Sequence, residues 1–383
     1  MINKLKGKRI ALISTVPYFM VSQLSSQIQC FASLGMHVTV ITSSGEELSE
    51  LPKDDHIRVM IIDIPRKLNP LSDFVALLKL MHIFNTESFD ILHSFTPKAG
   101  LLCAIAGWAA RIPLRFHTFT GQPWVTRKGL MRSVMRFSDR LIVQLMRHCY
   151  ADSRSQCDFL IAEGIGNANE LSVMGHGSLG GVDTQRFSSE HWSEKMKCEC
   201  KRNVGVDKVS FIFTYIGRIT VDKGISELLD AFEGLKIACP QAHLLLIGPV
   251  DDGKDVLERA ERQENVHCLG YQETPECFLS ITDVLCLPSY REGFGTVVIE
   301  AAAMGVPCIG TKIPGLIDAI DDGMTGMLVP VKDSEALYKG MCRLMNDENL
   351  CKKMGEAART RVVNLYDAKI VHSEWVSEYV RWM

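Results

Sequence analysis

The chain has 383 residues, 23% of them charged, and a formal net charge of −3. That length exceeds one ordinary hydrophobic core, so two domains are expected. An apolar content of 46% describes a globular protein, and the nearly balanced charge excludes a general nucleic-acid binder. The cysteines are scattered, with Cys198 and Cys200 the tightest pair. No second pair stands at zinc-site spacing and no disulfide framework is visible, so reduced cytoplasmic thiols are expected.

Lys4, Lys6, Lys8 and Arg9 precede an apolar run from Ile10, a pattern that mimics a secretory leader. Pro17 interrupts the run and no small-residue cleavage site follows, so it is read as a strand. No stretch reaches the ~18 uninterrupted apolar residues of a spanning helix. Strands are expected at Ile10–Ser14, His37–Ile41, Arg58–Ile62, Ile91–His93 and Leu114–Thr118, with helical segments between them, the first running to about Leu34. Apolar runs of this length between helices imply a parallel sheet covered on both faces. Residues 126–150 read as a basic helix. Arg132, Arg136 and Arg140 share one face, and Leu130, Val134, Phe137, Leu141 and Leu145 share another.

Between Gly175 and Phe187 the glycines crowd and the texture becomes that of a linker. Strands resume at Phe211–Ile216, His243–Ile247, Val266–Leu269, Val284–Leu287 and Pro307–Ile309. The expected fold class is therefore α/β, with two doubly wound domains in tandem. Ligands of such sheets bind at strand carboxyl ends, which makes the cleft between domains the expected site.

Two segments carry chemistry. The string Gly217-Arg218-x4-Lys223-Gly224 follows an expected strand and precedes a helix. A guanidinium and an ammonium placed there suit a diphosphate. The second segment holds Glu292 and Glu300 around Gly293-Phe294-Gly295. Thr296–Met304 reads as a helix stopped by Gly305 and Pro307. A glycine-rich loop feeding a helix N-terminus offers backbone N–H groups to an anion. A carboxylate about one turn inside that helix suits a sugar diol.

Together Gly-Arg-x4-Lys-Gly, Glu-Gly-Phe-Gly-x4-Glu-Ala and Gly326 within Asp322-Gly-Met-Thr-Gly-Met-Leu-Val resemble retaining glycosyltransferases of family 4. The resemblance spans nearly the whole chain. It implies the GT-B fold of two Rossmann-like domains, here 1–185 for the acceptor and 186–365 for a nucleotide-sugar donor. Residues 366–383 would form a helix crossing back to the first domain, with Trp375, Tyr379 and Trp382 packed there. Gly177-Ser-Leu-Gly-Gly181-Val-Asp183 is similar to the family's interdomain loop, with Gly180 where Asn is usual. By resemblance Glu300 binds the ribose hydroxyls and Glu292 the donor sugar. Arg218 and Lys223 hold the diphosphate, assisted by backbone N–H groups of Phe294, Gly295 and Thr296. His117 is similar to a family histidine that contacts the donor sugar near the leaving phosphate. His93, which ends its own strand, has a weaker claim to the same cleft.

Leaving-group charge needs a metal or fixed cations and dipoles. The chain has no Asp-x-Asp metal handle, and Arg218, Lys223 and the helix end supply the alternative. No metal and no separate cofactor are therefore expected. The implied function is transfer of a sugar from a nucleotide-sugar, UDP-sugar by resemblance, to a lipid-linked or glycan acceptor in bacterial surface polysaccharide assembly. The basic helix is read either as a stripe facing anionic lipid on the cytoplasmic face of the inner membrane or as a solvated face over the core. Two alternatives stay open: a GT-B epimerase of UDP-sugars, and a catalytically silent nucleotide-sugar-binding module.

Overall fold

The computed structural model describes residues 4–65, 69–207 and 209–383. The chain divides into two units, Met1–Gly180 with Ala368–Met383, and Gly181–Asp367. Unit 1 carries strands β1 (Arg9–Ile13), β2 (His37–Thr42), β3 (Ile57–Ile61), β4 (Ile91–Ser94), β5 (Leu114–Phe119), β6 (His148–Ala151) and β7 (Leu171–Val173). Its helices include α1 (Pro17–Ser33), α2 (Pro70–Thr86), α3 (Pro97–Ala109), α4 (Gly129–Leu145) and α5 (Arg154–Ala162). The sheet order is β3-β2-β1-β4-β5-β6-β7, with parallel pairing throughout. Strand alternation explains why β1 is apolar along its length. Ile10 and Leu12 enter the core under α1, whereas Ala11 and Ile13 enter the core under α2, α3 and α4.

Unit 2 repeats the plan. Helix α6 (Glu194–Asn203) precedes strands β8 (Phe211–Ile216), β9 (Ala242–Ile247), β10 (Val266–Gly270), β11 (Val284–Leu287), β12 (Cys308–Thr311) and β13 (Gly326–Val329). The connecting helices are α7 (Ile225–Ala238), α8 (Lys254–Glu261), α9 (Pro275–Leu279), α10 (Thr296–Ala303) and α11 (Leu316–Ala319), followed by α12 (Ser334–Asn346) and α13 (Glu348–Leu365). The order β10-β9-β8-β11-β12-β13 places β8 beside β11. Both sheets thus have a topological switch point at their centre, where loops leaving adjacent strands diverge and open a crevice.

The expected strands are all present, with ends displaced by at most two residues. Three others were not anticipated: β6, β7 and β13. β6 directly follows the basic helix with no turn residue to mark it. β7 is only Leu-Ser-Val, and β13 lies inside a glycine-rich string.

The basic helix requires a larger correction. It spans Gly129–Leu145, and its arginines, with Arg140 still exposed, are held by neighbouring groups of the protein. Arg132 and Arg136 sit over the Trp124 ring at 5.6 and 5.4 Å and pair with Glu163 at 3.3 and 3.1 Å. Arg140 Nε donates to the Gly164 carbonyl at 2.8 Å. Asp139, Ile142 and Val143 are the buried residues of α4, and Asp139 accepts a 2.7 Å bond from Trp124 Nε1. Leu130, Val134 and Phe137 are left 81%, 48% and 65% exposed. Anchoring by Trp124, Glu163 and Asp139 therefore overrides the simple rule that an apolar stripe faces the core.

The thiols also differ from expectation. Cys200 on α6 is joined to Cys277 on α9 by a disulfide spanning 77 residues. Such distant partners leave no spacing pattern to read.

The last helix, α14 (Ala368–Trp382), belongs to unit 1. Trp375 and Tyr379 are buried against Phe31, Phe95 and Phe116. Burying aromatics of this size contributes about 1.5–3 kcal/mol each. They enclose His93, which removes it from the candidate site. Its Nδ1 is 2.7 Å from Tyr379 Oη and its Nε2 2.7 Å from Thr118 Oγ1, with Phe95 and Trp375 stacked beside the ring. Burial holds the imidazole well below its usual pKa, so it stays neutral and structural. Tyr379→Phe leaves a buried ring nitrogen unpaired. It should cost about 1–3 kcal/mol, read as a lower midpoint in urea unfolding; an unchanged midpoint would refute this role for the bond.

Candidate active site

The crevice of unit 2 is built from the loops that leave β8 and β11. Gly217–Gly224 follows β8, and Pro288–Gly295 follows β11. The first loop must pass close to the second. Gly224 has φ +68°, and a Cβ there would lie 2.1 Å from the Pro288 carbonyl oxygen. Only glycine fits this turn. Gly224 and Gly295 stand at the starts of α7 and α10, and neither start has a side-chain cap. Uncapped first-turn N–H groups carry the positive end of the helix dipole.

The loops are joined by an ion pair. Lys223 Nζ lies 2.5 Å from Glu292 Oε1, with the side chains 14% and 15% exposed. The same oxygen accepts from Ser289 Oγ at 2.7 Å. Ser289 is fully buried, and its carbonyl in turn accepts from Thr311 Oγ1 on β12. The carboxylate is therefore aimed by two donors rather than left to rotate. Arg218 is placed differently. It pairs with Asp251 at 3.0 Å, with both side chains about half exposed. Such a pair contributes only about 0–1 kcal/mol, so the guanidinium can change partner at little cost. Around them Arg291 pairs with Asp222 at 2.7 Å, and Thr220 Oγ1 donates to Asp222 Oδ1 at 2.6 Å. Although burial works against it, these partners hold the Asp222 carboxyl below its usual range.

Phe294 is buried against the Tyr366 ring at 5.1 Å, which fixes the loop before α10. Gly295 and Thr296 then open the helix. Glu300 stands one turn further along and keeps part of its surface open. Burial of its carboxyl pushes the pKa up to about 7, opposed by the charge of Arg186 and reinforced by that of Glu276. Arg186 follows the Gly-Val-Asp string and grips Glu276 of α9 through Nε at 3.1 Å and Nη2 at 2.9 Å. Asp183 orders that string by accepting from the backbone N–H groups of Gln185 and Arg186 at 2.9 and 3.1 Å.

Sequence reasoning missed Ser289, Asp222, Arg291, Arg186 and Glu276. Ser289 and Arg291 flank the recognised Glu292, and Asp222 lies inside the Arg-x4-Lys string, so adjacency to a motif was the available signal. Glu276 had none, because only the tertiary fold brings it to Arg186.

In unit 1 the loops after β1 and β4 meet through Thr15 and Thr96. Thr15 N donates to Thr96 Oγ1 at 3.0 Å, and the two hydroxyls are 3.1 Å apart. His117 of β5 is 1% exposed, with Nδ1 2.9 Å from Ser94 Oγ. Its Nε2 is buried and has no protein partner among the described residues. Burial lowers the pKa to about 3, so the ring is neutral at ordinary pH. Gly180 takes the place where Asn is usual for a local reason: a Cβ there would lie 2.4 Å from the Gln23 carbonyl oxygen.

Two family models match the chain. The glycosyl transferase 4-like domain matches residues 20–175, and glycosyl transferases group 1 matches residues 198–361. The capsular polysaccharide biosynthesis glycosyltransferase CapM of Staphylococcus aureus is 31% identical over 360 residues, with 93% of each chain covered. The chain belongs to the family-4 type of glycosyltransferases. The transferase is also 23% identical to the UDP-Gal:alpha-D-GlcNAc-diphosphoundecaprenol alpha-1,3-galactosyltransferase of Escherichia coli, over 81% of this chain and 80% of that one. Its fold matches that of Anabaena Alr3699/HepE in complex with UDP and glucose, with a TM-score of 0.81, 19% identity and coverage of 98% and 100%. The two doubly wound units thus have the GT-B fold, and the enzyme is a sugar transferase.

Glu300 carries a pH dependence. Its folded pKa, about 7, lies above the unfolded value near 4.3. Between these values the folded state binds the extra proton, so stability falls as pH rises through that window. Unfolding free energies from urea titrations at pH 5 and pH 8 should show the wild type losing stability relative to Glu300→Gln. A constant difference would contradict the assigned shift.

Proposed function

We propose that the transferase moves a sugar from a UDP-sugar to a lipid-linked acceptor during bacterial surface polysaccharide assembly, with retention at the anomeric carbon and without a metal ion. The supporting observation is the Lys223–Glu292 pair at the switch point, flanked by Arg218 and two uncapped helix starts. The relatives named for capsular polysaccharide and for a diphosphoundecaprenol-linked acceptor support the biological class. The fold neighbour solved with UDP and glucose supports the donor class.

In this reading Glu300 accepts the ribose hydroxyls. Arg218, Lys223 and the backbone N–H groups of Phe294, Gly295 and Thr296 hold the diphosphate. Glu292 accepts hydroxyls of the sugar through the oxygen not already engaged by Lys223 and Ser289. Cleavage of the anomeric C–O bond leaves its electron pair on the diphosphate oxygen, where Arg218, Lys223 and the helix ends stabilise it. The acceptor oxygen bonds to the anomeric carbon on the same face. Its proton passes to the departing phosphate oxygen, so no protein base is needed. Glu292 already carries two donors on one oxygen, which favours orientation of the sugar over nucleophilic attack.

Removing one charged partner of a ligand costs about 1.5–3 kcal/mol. Glu300→Ala should therefore weaken nucleotide binding about 10- to 100-fold by calorimetry. Arg218→Ala should lower kcat/KM for transfer to a lipid-diphosphate acceptor about 100- to 1000-fold. Full turnover by Arg218→Ala would sink the cation-based account, and a strict magnesium requirement would sink the metal-free one.

A further inference from the structure

The disulfide between Cys200 of α6 and Cys277 of α9 has no part in the proposed transfer, yet it ends beside the residues that surround Glu300. The two helices share a satellite core of Cys200, Val206, Ile212, Leu245, Ile247 and Ile281, separate from the main core of unit 2. Helix α9 is five residues long, and only Leu279 of it is buried. So little apolar burial restrains it weakly, which leaves the disulfide as a principal restraint on its position. The residue before Cys277 is Glu276. Its carboxylate, 14% exposed, takes both Nε and Nη2 of Arg186, and Nη2 also donates to the Glu273 carbonyl at 3.3 Å. Arg186 is thus attached to α9 and to the loop before it, with the Phe187 ring 5.2 Å from its guanidinium. Beyond burial, the charges that act on the Glu300 carboxyl are those of Arg186 and Glu276, with opposite effects. Displacing one against the other changes the field at that carboxyl.

We propose that Cys200–Cys277 is a redox tether: oxidised, it holds α9 so that Glu276 positions Arg186, and its reduction loosens that clamp and lowers affinity for the nucleotide. Arg186 is a positioning residue in this scheme and acts through Glu300. The proposal rests on the reading of Glu300 as the ribose anchor. A reducing dithiol supplies the chemistry. Cys277 is the partly exposed end of the bond, while Cys200 is 9% exposed. A thiolate of the reductant attacks Cys277 Sγ, and the S–S bond breaks with its electron pair leaving on Cys200 Sγ, which takes up a proton. The second thiol of the reductant then attacks its own sulfur in the mixed disulfide and displaces Cys277 Sγ, which is protonated in turn. Two electrons and two protons pass to the protein, and the reductant closes to a cyclic disulfide.

The test compares the full chain oxidised by a small-molecule disulfide with the chain reduced by dithiothreitol. Thiol alkylation and mass spectrometry report the state of both cysteines, and calorimetric titration with UDP reports the site. Reduction should weaken UDP binding about 5-fold or more. C200S/C277S should bind as the reduced wild type does under either condition. Glu276→Gln should bind UDP more weakly and lose the redox response in affinity, although reduction should still lower its thermal midpoint, because the crosslink is lost without a clamp to release. Hydrogen exchange gives a readout that needs no nucleotide: amides of residues 183–187 and 276–280 should exchange faster in the reduced chain. Equal UDP affinity in the two states overturns the proposal, as does absence of the Cys200–Cys277 bond from the oxidised chain. A redox response in affinity that persists in full in C200S/C277S or in Glu276→Gln also overturns it. In a chain that binds no UDP in either state, faster exchange on reduction would leave the tether standing and defeat the donor reading alone, whereas equal exchange would defeat the tether as well.

Discussion

One ion pair organises the candidate site. Lys223 and Glu292 belong to loops that leave neighbouring strands and would otherwise diverge at the switch point. Their contact closes those loops into a crevice edge and settles two chemical questions together. The carboxylate has a counter-charge and a buried serine donor, so it remains an oriented acceptor. On the proposed reading, a diphosphate meets an ammonium already held in place, which lowers the ordering entropy of binding. Arg218 complements it from a looser position, where a solvent-exposed partner is easily exchanged.

The architecture serves that arrangement. Parallel sheets buried on both faces make rigid platforms, and chemistry is left to the loops at their carboxyl ends. The close approach at Gly224, the anchoring of Phe294 on Tyr366 and the burial of Ser289 all fix loops rather than strands. Glu300 is held by the helix itself, which suits an anchor. Glu292 is held by loop partners, which suits a group that must follow a particular sugar. On the proposed reading, the Glu-x7-Glu spacing is the separation between two ligand parts rather than an acid–base couple.

Much of this was legible in the residues because it is local. Gly-Arg-x4-Lys-Gly and Glu-Gly-Phe-Gly are contiguous strings, and the strand–loop–helix context around them follows from apolar runs and glycines. The Lys223–Glu292 bond was not legible, since it joins strings 69 residues apart. The Cys200–Cys277 disulfide and the Arg186–Glu276 clamp escaped for the same reason. His93 and His117 were both read as strand-end histidines facing the cleft, with His117 the stronger candidate. Burial separated them: α14 encloses one completely, while the other keeps a ring nitrogen without a protein partner among the described residues. Helix α4 shows a different limit. Its periodicity correctly defined two faces, but which face turned outward depended on a tryptophan before it and a glutamate after it.

The most direct measurement is calorimetric binding of a nucleoside diphosphate and of its sugar conjugate to wild type, Lys223→Met and Glu292→Gln. If the pair divides diphosphate from sugar, Lys223→Met loses affinity for both ligands by similar factors. Glu292→Gln then keeps its affinity for the diphosphate and loses affinity for the sugar conjugate alone. Equal losses for both ligands in both variants would contradict the division and reduce the pair to a structural clasp.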